Sequence, residues 1–256
     1  MLLGSSLLYV GCSEKAKSQI NLGFWTIYIR ANGSIEPPDA PISTEDNITY
    51  ILRGDIINAS IVIERSNIVL DGNNHVIQGP IKPYVNPFQQ FYEPLLGINI
   101  SASSVTIKNI VVKNFMVGIY VIRFSNNMIL NNTLVDNYWA GIAIVAGSID
   151  NKILNNTFIN DGLLVSDSYN NTVAGNSVNG KPLVYLGDAA NLTVDNAGQV
   201  ILVRCNGIRV ENLNIESVGV AIELERTNNT VIARNIIING RIAGIWISCY
   251  ITLTEL

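Results

Sequence analysis

The sequence predicts an all-β solenoid, a parallel β-helix of about nine rungs, and two observations carry this prediction. A four-residue phrase recurs along the chain: a small or aliphatic residue, then an aliphatic, a variable and an aliphatic residue. Successive phrases start 17 to 23 residues apart, and a fixed period of that size marks solenoid architectures. The phrases begin at Gly97, Gly118, Gly141, Gly162, Leu183, Val200, Ala221 and Gly244.

Each phrase predicts a β-strand. In Gly118-Ile119-Tyr120-Val121 the second and fourth residues are aliphatic, and the same holds in the other seven phrases, whereas the third residue varies. A period of two with one constantly apolar set indicates a strand that buries one face. A helix would need apolar residues three and four apart, which the phrases do not supply.

Asn-rich segments between the phrases predict corners. Asparagine adopts the left-handed backbone conformation more readily than most residues and hydrogen-bonds to nearby backbone. We expect the stacked asparagines of one corner to form a ladder along the axis. The asparagines that close these segments are Asn109, Asn132, Asn156, Asn176, Asn196, Asn212 and Asn235.

The repeat length selects the β-helix among solenoid and propeller folds. Leucine-rich repeats share the period, but their Leu-x-x-Leu-x-Leu phrase is missing, and a propeller blade needs about 40 residues. With an earlier rung at Ser60–Ile63, the eight phrases predict one continuous column of nine rungs. At about 4.8 Å per rung the rod would be roughly 40 Å long.

The period also divides the chain. Residues 1–24 are predicted to be an N-terminal leader or the remnant of a signal sequence, 25–59 an N-terminal cap, and 60–256 the β-helix. A Pro-rich insertion at 80–96 interrupts the period. The last phrase is followed by only a few residues, so we expect either a truncated chain or further modules beyond the C-terminus.

Composition excludes several partners. The net charge is −4, the pI is near 5.0, and no cluster of Lys and Arg occurs, which argues against nucleic acid. The sequence has no run of 18 apolar residues, so it predicts no membrane span. With one histidine, three cysteines and three methionines, scattered along the chain, the sequence predicts neither a metal site nor a cofactor.

Two features predict an extracytoplasmic protein. Residues 1–12 are apolar and small, as in the hydrophobic part of a signal sequence, and end at Cys12. Cys12 is either a chance cysteine, or it marks a lipoprotein cleavage site or the remnant of a signal sequence. Nine Asn-x-Ser/Thr triplets are acceptors for glycosylation. They lie at Asn32, Asn47, Asn58, Asn99, Asn131, Asn155, Asn170, Asn191 and Asn228.

The weak catalytic candidates are Asp167, Asp188 and Arg226. Asp167 and Asp188 both lie five residues after their phrase starts, so the continuous column predicts that they are rung neighbours, with Arg226 two rungs further at the same offset. Clustered carboxylates with a basic residue serve hydrolysis or elimination of polysaccharides. The alternative is a pair of solvated turn aspartates.

Aromatic residues are the ligand-binding candidates. Tyr120, Tyr185 and Trp246 hold the variable phrase position and are predicted to stand on one outer face of the rod, where flat rings suit sugars. Packing beneath a loop explains them equally well. The insertion adds Tyr84, Phe88, Phe91 and Tyr92, because loops extruded from a solenoid often form its binding face.

Several segments resemble the NosD-type right-handed β-helix repeat proteins. They are Thr26–Pro38, Ile68–Asn73, Gly180–Tyr185 and Gly198–Val203, and the resemblance extends over residues 25–250. It implies a single-stranded right-handed parallel β-helix, often from an archaeal surface or secreted protein, related to carbohydrate-binding and sugar-hydrolase repeats.

Three functions follow from the residues and the resemblance together. The first is a non-catalytic scaffold that binds polysaccharide or belongs to the cell envelope, and the second is a polysaccharide lyase or hydrolase. The third is the accessory role in copper-site maturation that the resemblance implies, for which this chain offers few ligands.

Overall fold

The computed structural model describes residues 24–80 and 95–248, and every regular element in them is a strand. No helix in these ranges could cross a membrane. The strands are β1 (Trp25–Ile29), β2 (Ile35–Glu36), β3 (Ile42–Thr44), β4 (Thr49–Leu52), β5 (Ile56–Ile57), β6 (Ala59–Ile63), β7 (Ile68–Asp71), β8 (Val76–Gln78), β9 (Leu96–Ile100), β10 (Val105–Lys108), β11 (Val111–Lys113), β12 (Val117–Ile122), β13 (Met128–Leu130), β14 (Thr133–Val135), β15 (Ala140–Val145), β16 (Lys152–Leu154), β17 (Thr157–Ile159), β18 (Leu163–Ser166), β19 (Thr172–Ala174), β20 (Ser177–Val178), β21 (Lys181–Gly187), β22 (Thr193–Val194), β23 (Gln199–Val203), β24 (Arg209–Glu211), β25 (Asn214–Glu225), β26 (Val231–Ala233) and β27 (Ile236–Ser248).

Residues 25–80 and 95–178 form a parallel β-helix, named here the first stack. Its rungs visit three sheets in turn, and the parallel strands of these sheets pair in the orders β1-β6-β9-β12-β15-β18, β4-β7-β10-β13-β16-β19 and β5-β8-β11-β14-β17-β20. The prediction of an all-β parallel β-helix is confirmed.

The aliphatic phrase positions build the core of this stack. Ile98, Ile119, Ile142 and Leu163 pair in register through β9, β12, β15 and β18 and are almost completely buried. Burying one such side chain contributes about 1.5–3 kcal/mol. The first phrase position is small because a Cβ on Gly118 would lie 2.5 Å from the carbonyl oxygen of Gly141.

The segment predicted as the N-terminal cap adds a strand to each of the three sheets. β1 pairs in parallel with β6, β4 with β7, and β5 with β8. The short strands β2 and β3 pair antiparallel with β1 and β4 at the ends of their sheets. Residues 25–59 are therefore the first rung with two reversed strands at its edges.

The corners contain hydrogen-bonded asparagine ladders. Buried Asn132, Asn156 and Asn176 follow one another: the Asn132 backbone N–H donates to Asn156 Oδ1 over 3.0 Å, and the Asn156 N–H donates to Asn176 Oδ1 over 2.8 Å. A second ladder, which sequence analysis did not single out, runs through Asn127, Asn151 and Asn171. Buried backbone groups of the corners are thereby satisfied.

The prediction of one continuous column of nine rungs is wrong beyond the phrase that begins at Gly162. Asn179 and Gly180 form a two-residue hairpin with φ of 49° and 79°, so that β21 runs antiparallel to β20. Asn-Gly is the preferred pair for such a turn, because both central residues need positive φ. The reversed chain then builds a second parallel run, β21-β23-β25-β27, with β22-β24-β26 as its other sheet.

Residues 181–248, named here the second stack, cover the open edge of β18. Gln199 accepts a hydrogen bond from Leu163 N over 2.9 Å and donates to Leu163 O over 2.7 Å. The buried Glu223 carboxyl group accepts from Val165 N over 3.2 Å, and burial raises its pKa well above the usual range. Side chains thus replace the strand that an exposed sheet edge would otherwise recruit.

Strand register in the second stack also differs from the predicted alignment. Tyr185, Ile201, Glu223 and Trp246 are directly paired across β21, β23, β25 and β27. The outward position of the phrase that begins at Val200 is therefore Ile201, and Leu202, which holds the variable third position of that phrase, lies on the opposite face. Because side chains alternate along a strand, this one-residue difference exchanges the two faces of β23.

Candidate functional site: the junction between the two stacks

The three catalytic candidates meet at the junction, although not as rung neighbours. β18 and β21 are not paired, since the chain reverses between them, so the predicted stacking of Asp167 on Asp188 was wrong. Both aspartates and Arg226 instead join one ionic cluster. Asp167 comes from the corner after β18, and the others come from corners of the second stack.

Tyr169 lies at the centre of this ionic cluster. The guanidinium carbons of Arg204 and Arg226 each lie 4.9 Å from the centre of its ring, which is within cation–π range. Arg204 bonds Asp188 over 2.6 Å and Arg226 approaches Asp167 at 3.5 Å. Each aspartate therefore faces a guanidinium from the second stack.

Two hydroxyl contacts connect the cluster to a buried carboxylate. Tyr169 Oη donates to Asp167 Oδ1 over 2.9 Å and lies 3.4 Å from Glu225 Oε1. Burial, followed by the bond to Asp167, raises the pKa of the Tyr169 hydroxyl above its usual value, so it remains a donor. Glu225 is completely buried, and its Oε2 has no hydrogen-bond partner among the described residues. Because Glu225 is completely buried, a substrate does not reach it. The contacts of Tyr169 and Asp167 with Arg204 and Arg226 hold the first stack against the second.

The aromatic candidates do not form one strip. Tyr120 lies on β12 in the first stack, whereas Tyr185 and Trp246 share a column of the second stack with two strands between them. Burial raises the pKa of Tyr185 to about 12, and 44% of Trp246 is exposed. Tyr84, Phe88, Phe91 and Tyr92 lie outside the described residues.

An open cleft of about 580 Å³ lies where corners of the first stack meet β25 and β27. Sequence analysis missed it because its two sides are far apart in the chain. The signal available was the pair Tyr138-Trp139 at a corner, where 37% and 40% of these residues are exposed. The cleft is lined by Asp136, Tyr138, Asn160, Ser217, Asn239, Gly240 and Arg241.

Hydrogen bonds within the first stack and between the two stacks fix the shape of the cleft. Asn160 Nδ2 donates to Asp136 Oδ1 over 3.1 Å, and Arg241 donates to the carbonyl oxygen of Asn160. The hairpin residue Asn179 accepts from Asn160 N and donates to Glu216 O, both over 2.7 Å. The polar groups are thus held in place before any ligand arrives, which lowers the ordering cost of binding.

Asp161 lies beside the cleft and ends a third ladder, in which Phe115 N donates to Asn137 Oδ1 and Asn137 N donates to Asp161 Oδ2. Its carboxylate accepts from Asn137 Nδ2 over 2.7 Å and from Gly162 N over 2.9 Å. Complete burial raises the pKa of Asp161 to about 7, an increase that the bonds from Asn137 and Gly162 and the charge of Arg241 oppose. Arg241 therefore links a buried carboxyl group to the cleft.

The described residues contain no group of three His, Cys, Asp or Glu side chains placed to hold a metal. The single histidine, His75, has Nδ1 3.2 Å from Asp55 Oδ1. The exposed asparagines among the glycosylation triplets lie at corners: Asn32, Asn47, Asn131, Asn155, Asn170, Asn191 and Asn228.

Comparison with known proteins identifies the fold family. The sequence of no curated protein matches this chain. A sequence model for the right handed beta helix region matches residues 53–197, which is more than half of the 256 residues. The match begins in the first rung and ends within the second stack, after the Asn179-Gly180 hairpin. The chain therefore belongs to the right handed beta helix region family.

Proposed function

We propose that this protein is a non-catalytic glycan-binding β-helix of the NosD type that takes an oligosaccharide in the cleft between its two stacks. The observation that carries the proposal is the composition of the cleft. An exposed tyrosine ring, Tyr138, borders a polar surface of two asparagines, one serine, one aspartate and one arginine. Flat rings pack on sugar faces, and these polar groups match sugar hydroxyls as donors and acceptors.

The size of the cleft supports the same class of ligand. A volume of about 580 Å³ falls within the range of small-molecule sites, roughly 300–1,000 Å³. Its lining is more polar than that of a typical drug-like pocket, because Tyr138 is the one aromatic side chain that the described residues contribute to it. Short glycans suit such a surface better than apolar ligands.

The proposal includes a location outside the cytoplasm and glycosylation of the exposed corner asparagines. It rests on the nine acceptor triplets, seven of which have exposed asparagines, and on the resemblance to secreted and surface proteins. Mass spectrometry of the protein from its native source tests this part, and unmodified asparagines in all seven triplets would contradict it.

A glycan array with the purified full chain, followed by calorimetry on the glycans it retains, tests the binding proposal. Tyr138→Ala should weaken binding about two- to tenfold, because stacking on an aromatic ring contributes about 0.5–1.5 kcal/mol. Trp25→Ala is the matched control, since Trp25 is 38% exposed and lies on β1 in the first rung, outside the cleft. Equal losses in both variants, or no retained glycan, would refute the proposal.

A second candidate is polysaccharide hydrolysis or elimination at the ionic cluster. It is favoured by the convergence of Asp167, Asp188 and Arg226, and disfavoured by the arginine that occupies each aspartate. Assays of reducing and unsaturated ends, with Asp167→Ala/Asp188→Ala as the comparison, decide between the two. For the copper-maturation role, calorimetric titration with Cu(I) is the corresponding test.

A further inference from the structure

Building on the proposed glycan-binding function, we propose that the cleft binds a neutral pyranose through a pair of adjacent hydroxyl groups, and that Asp136 selects for this pair. Three features of the cleft support this choice of sugar. They are the polar groups that have no partner within the protein, the spacing of two of these groups, and the local charge.

The backbone of the first-stack side of the cleft is already used by hydrogen bonds within the protein. The Asn160 N–H donates to Asn179 Oδ1 over 2.7 Å, and its carbonyl oxygen accepts from Arg241. The Asp136 N–H donates to Ile159 O over 3.1 Å. A ligand therefore meets the side chains of these corners rather than their backbone.

Four side chains that line the cleft keep hydrogen-bonding groups that no described residue occupies. Asp136 accepts from Asn160 Nδ2 through Oδ1, which leaves Asp136 Oδ2 and the second N–H of Asn160 Nδ2 without a partner. On the second-stack side, the Ser217 hydroxyl group and the Asn239 side-chain amide make no hydrogen bond to the described residues. Water satisfies such groups until a ligand with matching donors and acceptors replaces it.

The spacing of Asp136 and Asn160 matches two adjacent sugar hydroxyl groups. Asp136 Oδ1 and Asn160 Nδ2 are 3.1 Å apart, and neighbouring hydroxyl oxygens of a pyranose are separated by about one hydrogen-bond length. One hydroxyl group can therefore donate to the Asp136 carboxylate while its neighbour accepts from the Asn160 amide. A single hydroxyl group would use only one of the two side chains.

The fold presents these two side chains in the same way on consecutive rungs. Asp136 and Asn160 each follow their strand by one residue, and the two strands, β14 and β17, are paired in register. Their φ angles are 52° and 47°, in the left-handed region that Asp and Asn tolerate better than most residues. Tyr138 lines the same cleft two residues after Asp136. A sugar can thus place its face on the ring and its edge on the Asp136–Asn160 pair.

Charge favours a neutral sugar over an acidic one. Asp136 contributes a carboxylate to the cleft, and the exposed Glu216 lines a smaller hollow beside it. The guanidinium of Arg241 is engaged, because it donates to Asn160 O and its charge acts on the buried Asp161 carboxyl group. An anionic ligand would therefore meet two carboxylates and a cation that already has partners, which is how a site rejects the wrong ligand.

Calorimetry on the full chain with matched pairs of sugars tests the class of ligand. The probes are the methyl pyranosides of glucose, galactose and mannose, each compared with its uronic acid counterpart, which keeps the ring hydroxyl groups and adds a carboxylate. We expect at least one neutral glycoside to bind, and its acidic counterpart to bind about fivefold more weakly or worse, because of repulsion by the Asp136 carboxylate.

Asp136→Asn tests the selecting residue. It should weaken binding of the neutral glycoside about five- to tenfold, because a hydrogen bond to a charged acceptor becomes one to a neutral acceptor. It should also reduce the preference over the acidic counterpart, which loss of structure alone would not do. Asp150→Asn is the matched control, since Asp150 is an exposed corner aspartate of the first stack with φ of 56° outside the cleft, and its affinity should not change.

Monodeoxy analogues of the neutral glycoside test the hydroxyl pair. Two analogues, lacking adjacent hydroxyl groups, should bind most weakly, and for one of them Asp136→Asn should cause little further loss, because its donor to the carboxylate is already gone. Losses at hydroxyl groups that are not adjacent, tighter binding of the acidic sugars, or unchanged affinity of Asp136→Asn would overturn this choice of sugar and leave glycan binding standing. If no carbohydrate binds in the calorimetry or on the array, both proposals are refuted. The deoxy series on the unaltered chain decides the hydroxyl pair even where Asp136→Asn does not fold.

Discussion

Replacing Asn156 by alanine tests whether the asparagine ladders hold the rungs together. Asn156 Oδ1 accepts from Asn132 N over 3.0 Å and from Asn132 Nδ2 over 3.1 Å. Its own Nδ2 donates to Ile129 O over 2.9 Å and to Asn176 Oδ1 over 3.0 Å. The substitution therefore removes four hydrogen bonds at a site with 1% exposure.

The expected loss is about 4 kcal/mol of unfolding free energy. Each bond contributes about 1 kcal/mol net, and the buried Asn132 N–H left without its acceptor costs about 1–3 kcal/mol more, partly offset by the lower side-chain entropy cost of alanine. Against a total stability of about 5–15 kcal/mol for a typical domain, this is a severe change. Urea denaturation followed by far-ultraviolet circular dichroism measures it.

Asn131→Gly is the control for this experiment. Asn131 is the exposed neighbour of the ladder and has φ of 55°, a conformation that glycine adopts without strain. We expect a change below about 1 kcal/mol. If Asn156→Ala also costs less than about 1 kcal/mol, water or rearranged backbone replaces the ladder, and the asparagine ladders do not hold the rungs together.

Two further predictions concern the junction. Because the pKa of buried Asp161 is about 7 against a usual value near 3.8, the folded state holds this proton more tightly than the unfolded state. The contribution of this proton to stability is therefore full below about pH 4 and is lost as the pH rises through 7, by about 4 kcal/mol at most. Asp161→Asn should make the free energy of unfolding less dependent on pH in a denaturation series from pH 4 to 8. Parallel pH profiles of the two proteins would contradict this. Gln199→Leu leaves both backbone groups of Leu163 and the carbonyl of Val220 without their Gln199 partner. We expect the free energy of unfolding to fall by about 2–4 kcal/mol and hydrogen exchange at Leu163 N to become faster. Unchanged exchange would show that Gln199 does not protect the edge of β18.

The repeat period made the first stack predictable from sequence. A strand that buries one face requires apolar residues at every second position, so its pattern is visible in the sequence. The inner aliphatic positions of the phrases from Gly97 to Gly162 are indeed buried and paired in register. The asparagines of the corners were equally visible, and Asn132, Asn156 and Asn176 form the expected kind of ladder.

The second stack was not predicted because its local pattern is the same as that of the first. The phrases at Leu183 and Gly244 meet the period-two rule in either chain direction, so periodicity does not report the reversal. The reversal was visible in a single dipeptide, Asn179-Gly180. The short 17-residue step to Val200 also hid a register of Leu183 on Gln199, 16 residues apart.

The cleft could not be predicted because it is made by contact between residues far apart in the chain. Arg241 and Asn160 are separated by 81 residues, and neither stands at a phrase position. The ionic cluster was predictable in part. The predicted stacking of Asp167 on Asp188 is wrong, but Asp167, Asp188 and Arg226 each follow a phrase by the same number of residues. They therefore all lie at corners that face the junction.

The hairpin at Asn179-Gly180 also bears on how a solenoid of this kind acquires a defined size. A parallel coil whose rungs share one pattern has no internal reason to stop, since each new rung offers the next the same edge. Here a two-residue turn redirects the following repeats across that edge, so further copies of the same unit act as a lid rather than as additional length. The number of rungs in the first stack is then set by where the turn occurs, and duplication of repeats on either side of it would lengthen the rod or enlarge the lid independently.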